Sequence, residues 1–215
     1  MFIVGAGVAG LEAAWIAAAR GHHVTVFGRS PEVGGKARLH AQLPGGAPIS
    51  TIHTYQYAAA KKAGVQFKLG VTASVDDVLA LKPDAVVLAT GSRMLPPPWL
   101  NDATISDLRE ALPPLLPNTQ RQRGAAVIFD MDHTEATYAA AELLHERFER
   151  VVVVTPRDAI AQATAMVTRQ GILRRDHHHA FKAFMQQLRC CIRGLGVIHV
   201  ENNCCTTLAL RILQQ

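Results

Sequence analysis

The sequence predicts an α/β protein in which parallel strands alternate with helices on both faces, arranged as two tandem β-α-β units. Three observations predict it. A short apolar run at residues 2–4 breaks into glycine at Gly5, Gly7 and Gly10, and an alanine-rich stretch follows at once. A second opening of the same kind begins at Ala125, with an apolar run, a helix-like stretch and a strand-like run at 151–154. Between them, residues 84–91 read as a buried strand ending in Thr90-Gly91.

The first turn carries most of the information. Gly-x-Gly-x-x-Gly between a strand and a helix is the context that predicts a dinucleotide-binding, Rossmann-like sheet. Gly5 makes the tight bend, Gly7 lets backbone approach a pyrophosphate, and Gly10 lets helix and strand pack closely. The helix N-terminus offers unpaired N–H groups and a positive dipole end to an anion. That helix spans 8–20, with Val8, Leu11, Ala14 or Trp15, and Ala18 on one face, and Gly21 stops it. His22-His23 fall in the turn before a second strand at 24–27. The end of this strand should carry Asp or Glu for the ribose hydroxyls, but the position is Gly28, followed by Arg29. Arg29 suits a phosphate or simply faces water.

Gly34-Gly35 and a Gly/Pro-rich loop at 43–48 come next. Residues 53–64 read as a helix, with Tyr55 and Tyr57 as packing residues, 65–69 as a strand and 75–81 as a short helical turn opened by Asp76-Asp77. Three prolines in a row at 96–98 end the strand at 84–91. The proline-rich, then polar stretch 113–124 is taken as the linker. The second half offers a strand at 125–129, a helix at 136–147, a strand at 151–154, an amphipathic helix at 175–188 and a final strand at 196–200. Its first turn, Asp130-Met-Asp132-His-Thr-Glu135, contains no glycine.

A chain of 215 residues, 49% hydrophobic and 18% charged, is an ordinary globular composition. The net charge of +5 is spread along the chain, which predicts no nucleic-acid partner. Residues 1–20 lack the basic start of a signal peptide and are cut by three glycines, and no stretch has the length of a membrane span. A cytoplasmic location without a membrane partner is expected. The cysteines, Cys190-Cys191 and Cys204-Cys205, lack metal-ligand or Cys-x-x-Cys spacing and read as thiols in a reducing compartment. His177-His178-His179 on a helix cannot converge on one ion, so no metal site is expected.

Residues 4–12, Gly34-Gly35 and residues 87–92 together resemble the flavoprotein reductases with two dinucleotide-binding domains. The spacing and the second half are similar more narrowly to the C-terminal portion of the trimethylamine dehydrogenase / 2,4-dienoyl-CoA reductase (NADH:flavin oxidoreductase) family. The resemblance implies a first FAD/ADP-binding domain over 1–118 and a second, NAD(P)-domain-like one over 119–215 without a working nucleotide site. It implies that Gly5, Ala6, Gly7, Val8, Ala9 and Gly10 face an adenosine diphosphate group, with Gly28, Arg29, Gly34, Gly35, Thr90 and Gly91 around it. The cofactor implied is FAD or its ADP moiety; NAD(P)H is not expected, because the second turn is acidic. No catalytic side chain is assigned, since flavin chemistry lies on the cofactor. The implied function is an FAD- or ADP-binding module of a flavin-dependent oxidoreductase. Its implied partner is a flavin-barrel and iron–sulfur domain or subunit absent from the sequence.

Two alternatives stand beside this. One is a non-catalytic remnant or partial reading frame that keeps the fold, suggested by Gly28. The other is a haloacid-dehalogenase-like phosphatase, because residues 127–134 resemble an apolar strand ending Asp-x-Asp-x-Thr, with Asp130 as nucleophile and Asp132 as acid/base.

Overall fold

The structure is a computed structural model that describes residues 1–94, 106–155, 159–179 and 211–213, the backbone alone for 175–179 and 211–213. Its contacts divide the chain into two compact units, Met1–Arg93 and Met94–Gln215.

The first unit runs β1 (Phe2–Val4), α1 (Val8–Ala19), β2 (Thr25–Gly28), α2 (Gly35–Ala41), a 3₁₀ turn (Ala47–Ile49), α3 (Ser50–Lys62), β3 (Gln66–Leu69), α4 (Val75–Leu79) and β4 (Val86–Leu88). The strands form one parallel sheet in the order β3-β2-β1-β4, with Ile3 opposite Val26 on one side and Val87 on the other. This order puts β1 and β2 side by side and joins them through α1, the crossover that parallel strands require. Ile3, Val26, Ala14, Val24, Ala60 and Val65 form the core between sheet and helices. Full burial of Ile3 and Leu11 contributes on the order of 1.5–3 kcal/mol each. Tyr55 meets Trp15 edge-on at 6.3 Å and Tyr57 meets Phe67 at 4.9 Å, so both tyrosines do pack.

The second unit contains α5 (Leu108–Ala111), a 3₁₀ turn (Pro113–Leu115), β5 (Gln122–Phe129), α6 (Glu135–Arg147), β6 (Phe148–Val154), α7 (Met166–His179) and β7 (Arg211–Leu213). β5 pairs in parallel with β6 and antiparallel with β7. The fold is thus the predicted α/β class, with parallel β-α-β openings flanked by helices.

Several details differ from expectation. The strand expected to be buried at 84–91 is short, and it ends the sheet among the described residues; Val86 is 40% and Leu88 76% exposed, both projecting from the same face of the strand. α2 was not expected: it follows the Gly34-Gly35 loop and buries none of its residues, so it leaves no apolar periodicity to read. The helix expected from 175 begins at Met166; residues 180–188, the strand expected at 196–200 and the four cysteines lie outside the described residues. In the stretch taken as linker, Leu115 is buried on its 3₁₀ turn.

Candidate functional site

The glycine turn after β1 is built by contacts that side chains would prevent. Gly5 has φ +116°, and a Cβ there would lie 2.1 Å from the Ala89 carbonyl oxygen. A Cβ on Gly10 would lie 1.9 Å from the Gly5 carbonyl oxygen, so only glycine lets α1 sit this close to the turn. Gly7 is different. Its φ of −80° suits any residue and nothing lies within 4 Å of where its Cβ would be. Gly7 also caps α1 with no side-chain hydrogen bond. The N–H groups of Val8, Ala9 and Gly10 therefore have no acceptor within the helix.

Three other segments close around the turn. Gly34 N–H donates to the Ala6 carbonyl at 2.8 Å, and Gly7 and Gly34 form an isolated parallel bridge. A Cβ on Gly35 would come within 3.3 Å of Gly7 Cα, and one on Gly34 would strike the His53 ring at 2.8 Å. Ala89 N–H donates to the Val4 carbonyl at 2.8 Å, which brings Thr90-Gly91 beside Gly5. Lys36 Nζ donates to Ser92 Oγ at 2.5 Å, tying the start of α2 to the segment after β4. At the end of β2, Gly28 is buried: a Cβ would lie 2.8 Å from Leu69 Cδ2 and 3.0 Å from Ala6 Cβ. Arg29 and Ser30, next in the chain, are exposed. The residues predicted from four separate stretches, Gly5–Gly10, Gly28-Arg29, Gly34-Gly35 and Thr90-Gly91, thus gather around one turn.

The structure adds residues that spacing did not reveal. Glu12 Oε2 accepts from Trp15 Nε1 at 2.8 Å and from Gln56 Nε2 at 2.9 Å, joining α1 to α3. His53 and Gln56 are buried polar residues on α3, and His53 packs against Gly34. A His and a Gln three positions apart on a predicted helix was the only available signal, and it does not specify a partner.

In the second unit the corresponding turn is filled. Asp130 is fully buried at the end of β5. Its Oδ1 accepts from His133 N–H at 2.8 Å, and its Oδ2 accepts from the Tyr138 hydroxyl and lies 3.3 Å from His133 Nδ1. The Tyr138 oxygen in turn accepts from Ala161 N–H at 2.5 Å. Burial pushes the Asp130 carboxyl above the usual carboxylate range, against the pull of Tyr138 and His133. The Tyr138 hydroxyl is pushed up too, by burial and by its bond to Asp130. Asp132 Oδ1 accepts from Thr134 N–H at 3.1 Å and Thr137 Oγ1 at 2.8 Å at the start of α6. The phosphatase alternative is overturned here: a nucleophilic carboxylate must reach a phosphorus atom, and Asp130 has no exposed surface. Among the described residues no group of three His, Cys, Asp or Glu could hold a metal, and no helix is long and apolar enough to cross a membrane.

A parallel β-α-β opening with a glycine turn at the head of its helix defines a Rossmann-type dinucleotide-binding domain. Residues 3–64 match the family model of the NAD(P)-binding Rossmann-like domain. An NADH oxidase from Thermoanaerobacter brockii is 40% identical over 95 residues, which cover 44% of this chain and 15% of that protein. A probable N-methylproline demethylase from Rhizobium meliloti (strain 1021) is 34% identical over 163 residues, 74% of this chain and 23% of that protein. The structure of histamine dehydrogenase from Rhizobium sp. 4-9 shares the fold, with a TM-score of 0.72 at 22% identity, over 85% of this chain and 30% of that one. Residues 3–64 thus form an NAD(P)-binding Rossmann-like domain, and the chain is similar to part of these flavin- and NAD(P)-dependent oxidoreductases. It spans 15% and 23% of the lengths of these two curated relatives.

Proposed function

We propose that the first unit binds the adenosine diphosphate group of FAD, or ADP itself, and that the chain serves as the nucleotide-binding module of a cytoplasmic flavin-dependent oxidoreductase. The observation that carries the reading is the empty space over Gly7 at the N-terminus of α1, bounded by glycines that no other residue could replace without collision. This is a cradle that fits a pyrophosphate. The N–H groups of Ala9 and Gly10, which have no acceptor within the helix, would hold the phosphate oxygens. Gly34-Gly35 would let the nucleotide lie against backbone, and Thr90-Gly91 would close over it. A flavin bound there supplies the electron-transfer chemistry, and the residues of this chain bind it and exclude water.

Electron exchange would be with a flavin-barrel and iron–sulfur domain or subunit. The filled turn around Asp130 supports a second unit with no nucleotide site of its own. The packed Gly28, which carries no ribose carboxylate, favours one rival: a non-catalytic remnant that keeps the fold with weak ADP affinity. Mass spectrometry of what copurifies with the full chain, followed by calorimetry with ADP, decides between these. Copurified FAD or ADP and saturable ADP binding are expected. A chain that carries no nucleotide and shows no heat with ADP would end the main reading, and weak ADP binding without flavin would favour the remnant.

A further inference from the structure

We infer that Lys36 is a further binding residue of this site: its ammonium, held across the glycine turn by Ser92, takes the negative charge of the nucleotide's pyrophosphate. The inference rests on the reading above that the first turn holds an adenosine diphosphate group, that of FAD or ADP itself. It adds a full positive charge, which glycine backbone and the partial charge of a helix end do not supply.

The sheet order decides what the Lys36 side chain crosses. β1 lies between β2 and β4, and the glycine turn follows β1. One flank of the turn is the loop after β2. Gly34 N–H bonds the Ala6 carbonyl at 2.8 Å, and a Cβ on Gly35 would come within 3.3 Å of Gly7 Cα. Lys36 is the next residue. The other flank is the segment after β4, where Thr90 N lies 3.1 Å from the position of a Gly5 Cβ and Ser92 stands two residues on. The bond from Lys36 Nζ to Ser92 Oγ, 2.5 Å long, therefore joins the two flanks. It does so without filling the cradle, since nothing lies within 4 Å of where a Gly7 Cβ would be. The cation stands at the rim of that open space. Core packing does not explain its reach: α2 is seven residues long and buries none of them.

The donor and acceptor chemistry fits a phosphate better than it fits the serine. An ammonium carries three donors, and a hydroxyl oxygen is a neutral acceptor. Pyrophosphate oxygens are charged acceptors, and hydrogen bonds between ions are roughly twice as strong as neutral ones. Ser92 is a positioning residue. It holds a flexible four-carbon stem in place before the anion arrives, and so lowers the ordering cost of binding.

The test is calorimetry with ADP at several salt concentrations on the full chain and on Lys36→Met, Lys36→Arg and Ser92→Ala. Lys36→Met should weaken ADP by about tenfold or more, as expected for the loss of a charge-assisted hydrogen bond. Its remaining affinity should fall less steeply with salt than that of the parent chain. Lys36→Arg should keep most of the affinity, because it keeps the charge and the donors. Ser92→Ala should weaken ADP by about threefold, the cost of ordering one long side chain on binding. Urea unfolding should hardly move in any of them, since the bond joins exposed groups. A Lys36→Met chain that binds ADP like the parent, or that loses affinity with the salt dependence intact, overturns the inference, as does a Lys36→Arg chain as weak as Lys36→Met. Unchanged affinity in Ser92→Ala overturns the part given to Ser92. In each case ADP binding by the parent leaves the proposed function standing. A parent chain that binds no ADP overturns both.

Discussion

Gly7 and Gly10 stand three positions apart and are glycine for opposite reasons. Gly10 is glycine because of the protein: its missing Cβ makes room for the Gly5 carbonyl. Gly7 faces open space, so its missing Cβ makes room for something else. Gly10→Ala should therefore destabilise the first unit by about 1–3 kcal/mol or more, the cost of overpacking against backbone that cannot yield. Gly7→Val should leave urea unfolding unchanged and abolish ADP binding. If Gly7→Val binds ADP like the parent chain, the cradle is misplaced. These roles were legible in the sequence because the motif fixes them locally. The packing of Gly28 was not legible, since it depends on Leu69, forty-one positions on, in register across the β2–β3 pair. The Asp130 cluster makes a residue-scale prediction of its own. The folded carboxyl is pushed above its ordinary 3.8, so the stability it contributes at low pH is lost as pH rises through the folded value. Tyr138→Phe removes the hydroxyl bond that opposes this shift and leaves Ala161 N–H without its acceptor. The variant should cost about 1–3 kcal/mol, and its deficit should grow as the pH of urea titrations rises through the folded Asp130 value. A deficit independent of pH would show that Asp130 does not ionise differently in the two proteins.

Among the elements, those with a strong local signature were legible and those held by their surroundings were not. β1, α1 and β2 fall within a residue or so of where spacing puts them. α2 has no buried face, and β4 is an apolar run left at a sheet edge, so the residues carried no helix signal for one and pointed to a buried strand for the other. α4 shows how a short element survives with little burial, Val78 being its one buried residue. Val75 and Leu79 are 73% and 60% exposed, but Ser74 and Asp77 form a reciprocal capping box at its start. The bonds from Ser74 hold the Asp77 carboxyl below its ordinary range. A lowered folded value means that its support for the helix is present above the unfolded value and is lost as pH falls through the folded one. Amide protection across Val75–Leu79, measured as exchange relative to an unstructured chain at the same pH, should therefore fall on acidification below the carboxylate range, and Ser74→Ala should lower it at neutral pH without moving the main unfolding transition. Unaltered exchange in Ser74→Ala would mean that the box does not hold the helix.

At the scale of the whole molecule, the chain makes the same β-α-β opening twice and finishes the two turns differently. After β1 the backbone is stripped of side chains and left open over Gly7; after β5 the space is occupied by Asp130, His133 and Tyr138. Repetition of the opening was legible because strand and helix periodicities recur. The contrast was legible only as glycines present or absent, because a buried hydrogen-bonded cluster depends on Tyr138 and Ala161 arriving from further along the chain. If one turn binds and the other is packed shut, a nucleotide will be felt unequally along the sequence. Hydrogen exchange of the full chain with and without saturating ADP measures this directly. A ligand at a hundred times its dissociation constant adds about 2.7 kcal/mol to the stability of the state that binds it. Peptides covering residues 5–11, 34–38 and 89–92 should slow by up to about a hundredfold where exchange needs opening of the site, while those covering 125–138 should not change. Protection centred on 129–138 instead would place the nucleotide at the acidic turn and refute the assignment to Gly7. Protection at both would mean that the buried Asp130 cluster opens to admit a second ligand.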